Sequence, residues 1–572
     1  MKGTRFLTGA ILLGLLLFPW GSTSGKEGAT LIITGWVVDS QGVPLEGASI
    51  KIRVEDSQGV LIDDVGETTD SQADGSFLLI LPSSIVDQAM EGQGQLTLEV
   101  RKVSYTTLSR TLSLEGAGRI GEQLYLSLGD LTLAHHTGAA FFIATLAFLL
   151  VFGFISFRVV HQTIAALMGA VAVLGVSYIL GSSNPDFWIL SFERAIHYID
   201  FNVIFLIMGM MIFVAIVGRT GIFQWLGYQA YRATGGNAWH LAALLTIITA
   251  VASALLNNVI IMLLVAPVTI EIALVLGVHP FSFLVPEVLA ANIGGAATLI
   301  GAPTNTLIGS YAGLDFLDFL FHMGPIVVLS MVALLVMIRF IYRKEYAKAR
   351  KVSSPALLDR LREGAQITDA GTLWKALIMG GVTLVLFFVQ DLLGMPPSVA
   401  ALLGATGLLL WVRPDIEEML QEVDWTTLVF FMGLFIVVGS IEEVGLIQMI
   451  AQFIGALSKG NLTLAAIFML WVAGMASSII DNIPLAAAAL PIAAFLSTTI
   501  PGAENNVLYW ALAVGACFGG NGTVIGSVPN IVTAGMADRA GYHLSFGHFL
   551  RVGLPTIFVT LSVAMIWILI RY

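Results

Sequence analysis

From Gly138 to the C-terminus the chain is a series of apolar stretches, most close to the ~20 residues that a helix needs to cross a bilayer. They lie at about 138–157, 162–181, 201–218, 325–342, 376–391, 398–412, 426–441 and 553–570. Inside hydrocarbon every backbone N–H and C=O must find its partner within the protein, which confines such stretches to helices. Of the 572 residues, 57% are hydrophobic and only 11% charged, against about 25% charged in a soluble chain. That composition excludes a cytosolic enzyme, and the lack of a basic face excludes a nucleic-acid binder. The single cysteine, Cys517, rules out a disulfide framework, a cysteine zinc site and an iron–sulfur cluster.

The N-terminal part is different. Met1 to Arg5 is basic, Phe6 to Phe18 is an apolar run of signal-sequence length, and Gly21 to Gly25 offers small residues for cleavage. Residues 1–25 are therefore expected to be a signal peptide or signal anchor, and residues 26–134 to be exported. The net charge is −11, and residues 26–134 carry most of it, with sixteen Asp/Glu against seven Lys/Arg. Within them Ile32–Val38, Ala48–Val54, Phe77–Ile80 and Leu96–Val100 read as short strands between turn clusters such as Asp39-Ser40-Gln41-Gly42 and Asp74-Gly75. This spacing predicts a small antiparallel β-sandwich. Gly35, Val43-Pro44, Gly47-Ala48, Thr69-Asp70 and Asp74-Gly75-Ser76-Phe77 resemble the carboxypeptidase regulatory-like (transthyretin-like) domain. That resemblance implies an accessory, structural or docking role without chemistry of its own.

Four longer apolar regions, 238–276, 283–310, 462–497 and 507–533, are interrupted by Asn, Asp, Gly and Pro. Broken helices survive in a membrane only where the exposed backbone is buried in protein or lines a watery cavity, so the interruptions mark the working site. Residues 343–375 hold eight Lys/Arg, which makes this connector cytoplasmic and, counting spans outward, puts the sandwich outside.

The membrane part contains itself twice. A shift of 224 lays Asp200 on Asp424, Met208-Gly209 on Met432-Gly433, Ser253 on Ser477, Asn258 on Asn482 and Pro267 on Pro491. A shift of 225 lays Gly294-Gly295 on Gly519-Gly520, Thr298 on Thr523, Gly301 on Gly526 and Asn305 on Asn530. Asp200 begins its span from outside and Asp424 from the cytoplasm, so the copies are inverted. That is the architecture of many secondary transporters, with a solute site near mid-membrane. The fold expected is a polytopic α-helical membrane protein of two inverted-topology repeats, 138–342 and 376–570, joined by the connector 343–375 and preceded by the β-sandwich 26–134.

Each copy offers two broken elements. One is a re-entrant hairpin, with arms Leu241–Leu256 and Val259–Pro267 about the tip Asn257-Asn258, and Leu464–Ile480 and Ile483–Pro491 about Asp481-Asn482. The other is a discontinuous helix, broken over Asn292–Asn305 and again over Gly519–Asn530. Helix ends at such breaks present free N–H groups to anions and carbonyls to cations. The glycines Gly294, Gly295, Gly301, Gly519, Gly520 and Gly526 permit close approach, and Thr298, Thr523, Asn305 and Asn530 supply neutral ligands. Without a following Gly-Lys-Ser/Thr, these glycines are not a nucleotide loop. Asp481 is the one carboxylate in the two tip pairs, a functional group by default inside an apolar span. The bland alternative holds it in a structural network with Asn482, Ser477 and Ser478. Glu271 and Glu287, nearer the ends of their segments, read as interfacial, and Asp200, Asp424, Glu442 and Glu443 as helix-end charges.

Ala291–Gly301 and Phe518–Gly526 resemble the paired signatures of the ArsB/NhaD permeases, part of the ion transporter superfamily that includes sodium-coupled dicarboxylate and citrate carriers. The resemblance spans roughly 138–570. It implies a homodimer in the cell (inner or plasma) membrane with a scaffold and a moving domain. Antiporter-like members carry Asp-Asn at the first tip and Gly-Asp-Pro-Pro-Asn at the first break, where this chain has Asn257-Asn258 and Ala302. The neutral first site is closer to the dicarboxylate carriers, which implies sodium at Asn258, Thr298, Asn482 and Thr523. The expected activity is ion-coupled transport of a small anion by alternating access, with sodium or protons as the coupling cation and no cofactor. A sodium/proton antiporter using Asp481 alone and a transport-dead membrane sensor are the alternatives. No nucleophile–base pair or His-Glu-x-x-His motif supports an enzyme.

Overall fold

The computed structural model describes residues 30–349 and 362–572, apart from 41, 56–60, 83–85, 87–94, 115–116, 121–122 and 459. The expected signal segment and part of the connector lie outside the described residues. The chain divides into two compact units, one ending at Thr137 and one beginning at Gly138.

The first unit contains strands β1 (Thr30–Asp39), β2 (Ser49–Glu55), β3 (Leu61–Asp70), β4 (Ser76–Leu81), β5 (Gln95–Arg101), β6 (Leu108–Leu112), β7 (Gly118–Ile120) and β8 (Gln123–Leu133). They form two four-stranded sheets, ordered β4-β1-β8-β7 and β3-β2-β5-β6. Leu31, Ile33 and Val37 of β1 share one core with Ile50, Ile52 and Val54 of β2, so the apolar faces of the two sheets meet. The sandwich is antiparallel except for β1 and β8, which run parallel. A parallel pair needs a long crossover, and here strands β2 to β7 supply it.

The second unit opens with α1 (Ala139–Ser156), α2 (Gln162–Ile179), α3 (Phe192–His197), α4 (Phe201–Gly218) and α5 (Ile222–Ala233). Next come α6 (Ala238–Leu255) and α7 (Asn258–Leu276), the short pair α8 (Phe281–Gly295) and α9 (Pro303–Ala312), and the long α10 (Phe316–Ile341). After α11 (Arg343–Tyr346) and the connector the sequence of elements recurs: α12 (Ala370–Val389), α13 (Pro397–Val412), α14 (Ile416–Gln421), α15 (Trp425–Glu443), α16 (Leu446–Ser458), then α17 (Leu462–Ser477) and α18 (Asn482–Thr499), α19 (Val507–Gly519) and α20 (Val528–Arg539), and α21 (Phe546–Arg571). Among the described residues ten of these helices are long and apolar enough to span a membrane. α12 starts at Ala370, capped by Asp369, so Lys375 belongs to a helix.

Contacts at both ends of α4 fix the relation of the halves. Arg219, just past its C-terminus, pairs with Glu418 of α14 and with Glu422 just beyond it, in the turn that leads into α15. Arg194, ahead of its N-terminus, pairs with Glu443 at the end of α15. The start of each of α4 and α15 thus lies beside the end of the other, and the two helices run antiparallel. The copies interlock through their smallest residues. A Cβ on Gly209 of α4 would stand 3.1 Å from Ala401 of α13, and one on Gly433 of α15 would stand 3.0 Å from Ala166 of α2.

Both hairpins close as the sequence suggests, but with longer second arms. Ala238, Leu241 and Leu245 of α6 share a core with Ile272, Ala273 and Leu276 of α7, so the outer ends lie together. Leu462, opening α17, likewise packs beside Gly502, just past α18. Pro267 and Pro491 sit inside α7 and α18 and do not end them, since neighbouring helices in a membrane can satisfy the carbonyl that a proline leaves free.

Candidate functional site between the hairpin tips and the broken helices

At each tip the first residue of the polar pair caps the returning arm. Asn257 accepts the Val259 amide at 2.9 Å, and Asp481 accepts that of Ile483 at 3.3 Å. The tips are held to the breaks by matching bonds. Ser253 Oγ donates to Ala291 O and Ser477 Oγ to Ala516 O, both at 2.7 Å. The Thr298 hydroxyl donates to Ala254 O, and that of Thr523 to Ser478 O at 2.5 Å. Across each break an amide clamps the freed carbonyls. Asn305 donates to Gly295 O and Thr298 O, and Asn530 to Gly520 O and Thr523 O. Such contacts need glycine, because a Cβ on Gly294 or Gly519 would stand 2.3 Å from the carbonyl of Ala250 or Gly474.

The eight expected site residues are thereby brought to two tip–break junctions, all less than a tenth exposed. Their free bonding capacity is unequal. The hydroxyls of Thr298 and Thr523 and the amide hydrogens of Asn305 and Asn530 are spent on backbone, which makes them clamps in this conformation. The Asp481 carboxylate is bonded by backbone N–H groups alone, those of Ile483 and Asn482, and among the described residues no side chain bonds it or the Asn482 side chain. Ser477 and Ser478 bond Ala516 O and Met475 O, so neither serine satisfies Asp481 as the network alternative required.

The surroundings of the tips also differ. A cavity of about 320 Å³ beside the first tip is lined by Leu255, Leu256, Ile300, Phe213 and Phe387 and carries no charged residue. One of about 460 Å³ beside the second tip includes Asp481, Arg158, His161 and Gln162. Helix N-termini converge on these junctions from α7, α9, α18 and α20, and those of α9 and α20 have no side-chain cap. Their positive dipole ends suit an anion, and Asp481 suits a cation.

The family profile described as citrate transporter matches residues 152–515, from within α1 almost to the end of α19. The chain belongs to the citrate transporter family. An uncharacterized transporter of Mycobacterium tuberculosis is 39% identical over 72% of this chain and 94% of its own length. The human P protein is 33% identical over 75% of this chain and 60% of its own length. The YdaH transporter of Alcanivorax borkumensis superposes over 72% of this chain and 98% of that one, at 14% identity and a TM-score of 0.46. The protein is thus a multi-pass membrane transporter of the citrate transporter family and not an enzyme.

Some residues of this citrate transporter family member escape a reading of motifs. Asn292 donates to Asn521 Oδ1 at 2.9 Å and to Asn530 Oδ1 at 3.0 Å, and it accepts from Ser527 and Asn258. It is a buried polar link between the copies. Its counterpart under the 225 shift is Cys517, whose Sγ lies 3.4 Å from Asn305 Oδ1. The mirrored spacing of Asn292 to Asn530 and Cys517 to Asn305 was a sequence signal, hidden because the residue types differ.

Glu287 corrects an expectation. It is fully buried in α8, not interfacial, and the Thr269 hydroxyl of α7 is 2.9 Å from both of its oxygens. Glu443 does end a helix, but it is buried, held by Arg194 and the Tyr198 hydroxyl.

Proposed function

We propose that the protein is an ion-coupled secondary transporter that carries a small carboxylate anion of the citrate type by alternating access. The observation that carries this reading is the inequality of the tips. The first is neutral beside an apolar cavity, and the second has an available carboxylate and amide beside a polar one. In this reading Asp481 and Asn482 take the coupling cation, sodium or a proton. The uncapped N-termini of α9 and α20 face the anion, and Asn257, Asn258, Thr298, Asn305, Thr523 and Asn530 shape the two junctions. A carboxylate in a low-dielectric site attracts a cation strongly. The cation in turn offsets the cost of bringing an anion to the same place, and that mutual dependence is coupling.

Uptake of radiolabelled citrate into proteoliposomes under imposed sodium or proton gradients is the test. Gradient-dependent uptake that Asp481→Asn abolishes is the expected result. A pH change on adding sodium without any organic anion would instead indicate antiport. Flux that is intact in Asp481→Asn would remove that carboxylate from the coupling step.

A further inference from the structure

We propose that Arg158, with His161 beside it, forms an anion-docking site in the cavity leading to the second hairpin tip, where a solute carboxylate is captured before it reaches Asp481. This deepens the carrier reading and rests on it for the identity of the solute, though not for the attraction of anions.

The backbone makes Arg158 unusual. α1 ends in a Schellman motif: Arg158 N–H bonds Ile155 O at 3.2 Å, and Val159 N–H bonds Phe154 O at 3.0 Å. Arg158 occupies the position after the C-cap with φ of +52°. Glycine is the ordinary residue there, because a side chain in this left-handed conformation meets its own backbone. An arginine thus stands where its backbone is strained, as Arg413 also does, so it is the cavity beside Arg158 and not the strain that assigns its role.

The side chain and Asp481 line the same cavity and attract each other across it without closing to a salt bridge. His161 adds a donor. Its Nδ1 accepts the Thr163 amide at 3.3 Å, so the neutral ring carries its hydrogen on Nε2. One wall thus offers a guanidinium and an imidazole N–H, suited to a carboxylate, and Asp481 offers the place for a cation. The cavity at the first tip has no such pair.

The bland reading is that Arg158 compensates the negative end of α1. Arg413, after α13, separates the two readings. Like Arg158 it is exposed and follows a helix C-terminus with positive φ, +55°, but it does not line the cavity. Glycine relieves the backbone at both positions, so neither Arg158→Gly nor Arg413→Gly threatens folding.

The test introduces Ile479→Cys at the cavity wall in the full chain. It compares reaction rates with the anionic sulfonatoethyl and the cationic trimethylammonioethyl methanethiosulfonates at low salt, with the unsubstituted protein as the control for buried Cys517. Arg158→Gly is expected to lower the anionic-to-cationic rate ratio about tenfold. Arg158→Lys should largely keep the ratio, and Arg413→Gly should leave it alone. A ratio unmoved by Arg158→Gly, or moved equally by Arg413→Gly, overturns the proposal.

In proteoliposomes of zwitterionic lipid, Arg158→Gly is further expected to raise the KM for citrate about tenfold with little change in kcat. A lowered kcat at constant KM would contradict docking. If the unsubstituted chain carries no citrate while Arg158→Gly still lowers the rate ratio, the docking site stands and the citrate reading fails.

Discussion

Asn292 and Asp481 show what a single residue does in this protein. The Asn292 amide meets Asn521 and Asn530, and its oxygen takes Ser527 and Asn258. Asn292→Ala would leave buried polar groups without partners, at a cost of about 1–3 kcal/mol. Thermal unfolding in detergent should show that loss, with a smaller one for Cys517→Ala, because a thiol is a weak donor. Asp481→Asn keeps the shape of its cap, so its unfolding midpoint should stay near that of the parent while coupled uptake disappears. At this scale the sequence was partly transparent. Asp481 stood out as a carboxylate among apolar residues. Glu287 did not, because every residue from Phe281 to Gly295 is buried and no polar face betrays the environment of one of them. Arg158 was equally hidden, since nothing in a string of letters marks a left-handed backbone.

The elements are governed by how closely helices approach. α8 passes α6 with no room for a methyl group at Gly294, where a Cβ would stand 2.3 Å from Ala250 O, and α19 passes α17 in the same way at Gly519. Gly294→Ala and Gly519→Ala are each expected to destabilise the protein by about 1–3 kcal/mol or more, since the clash is with backbone that cannot step aside. Gly175 of α2 has open space around its missing Cβ. Gly175→Ala should therefore be neutral or gain up to about 1 kcal/mol. Unfolding midpoints of the three variants check the contrast. The breaks and tips were legible because glycine, proline and asparagine interrupt otherwise uniform apolar runs. The lengths of the second arms were not, because Pro267 and Pro491 read as terminators and only neighbouring helices reveal that they are tolerated.

For the whole molecule, the two-fold pattern of landmarks in the sequence predicts two inverted copies, and the pairings Arg219 with Glu418 and Arg194 with Glu443 run α4 and α15 antiparallel, as such an arrangement requires. Single cysteines at 200 and 424 are expected to react with an impermeant thiol reagent from opposite sides of a sealed vesicle. Labelling of both from one side would remove the inversion. The sandwich is a compact unit with its own core, so a chain beginning near Gly138 should retain, once inserted, whatever uptake the full chain shows in the proposed assay. Its β-strands were half legible. β1, β2, β4 and β5 are apolar enough to announce themselves, whereas β3, with its run of acidic residues, reads as loop.

The seam between the copies carries a last implication. On one side an asparagine gathers four bonds, and at the mirrored position a cysteine makes a single weak one. Had duplication left twins, the inward and outward postures would weigh the same. In the proposed alternating-access cycle, the divergence at this spot would give the empty carrier a preferred resting side, off which each turnover would lift it.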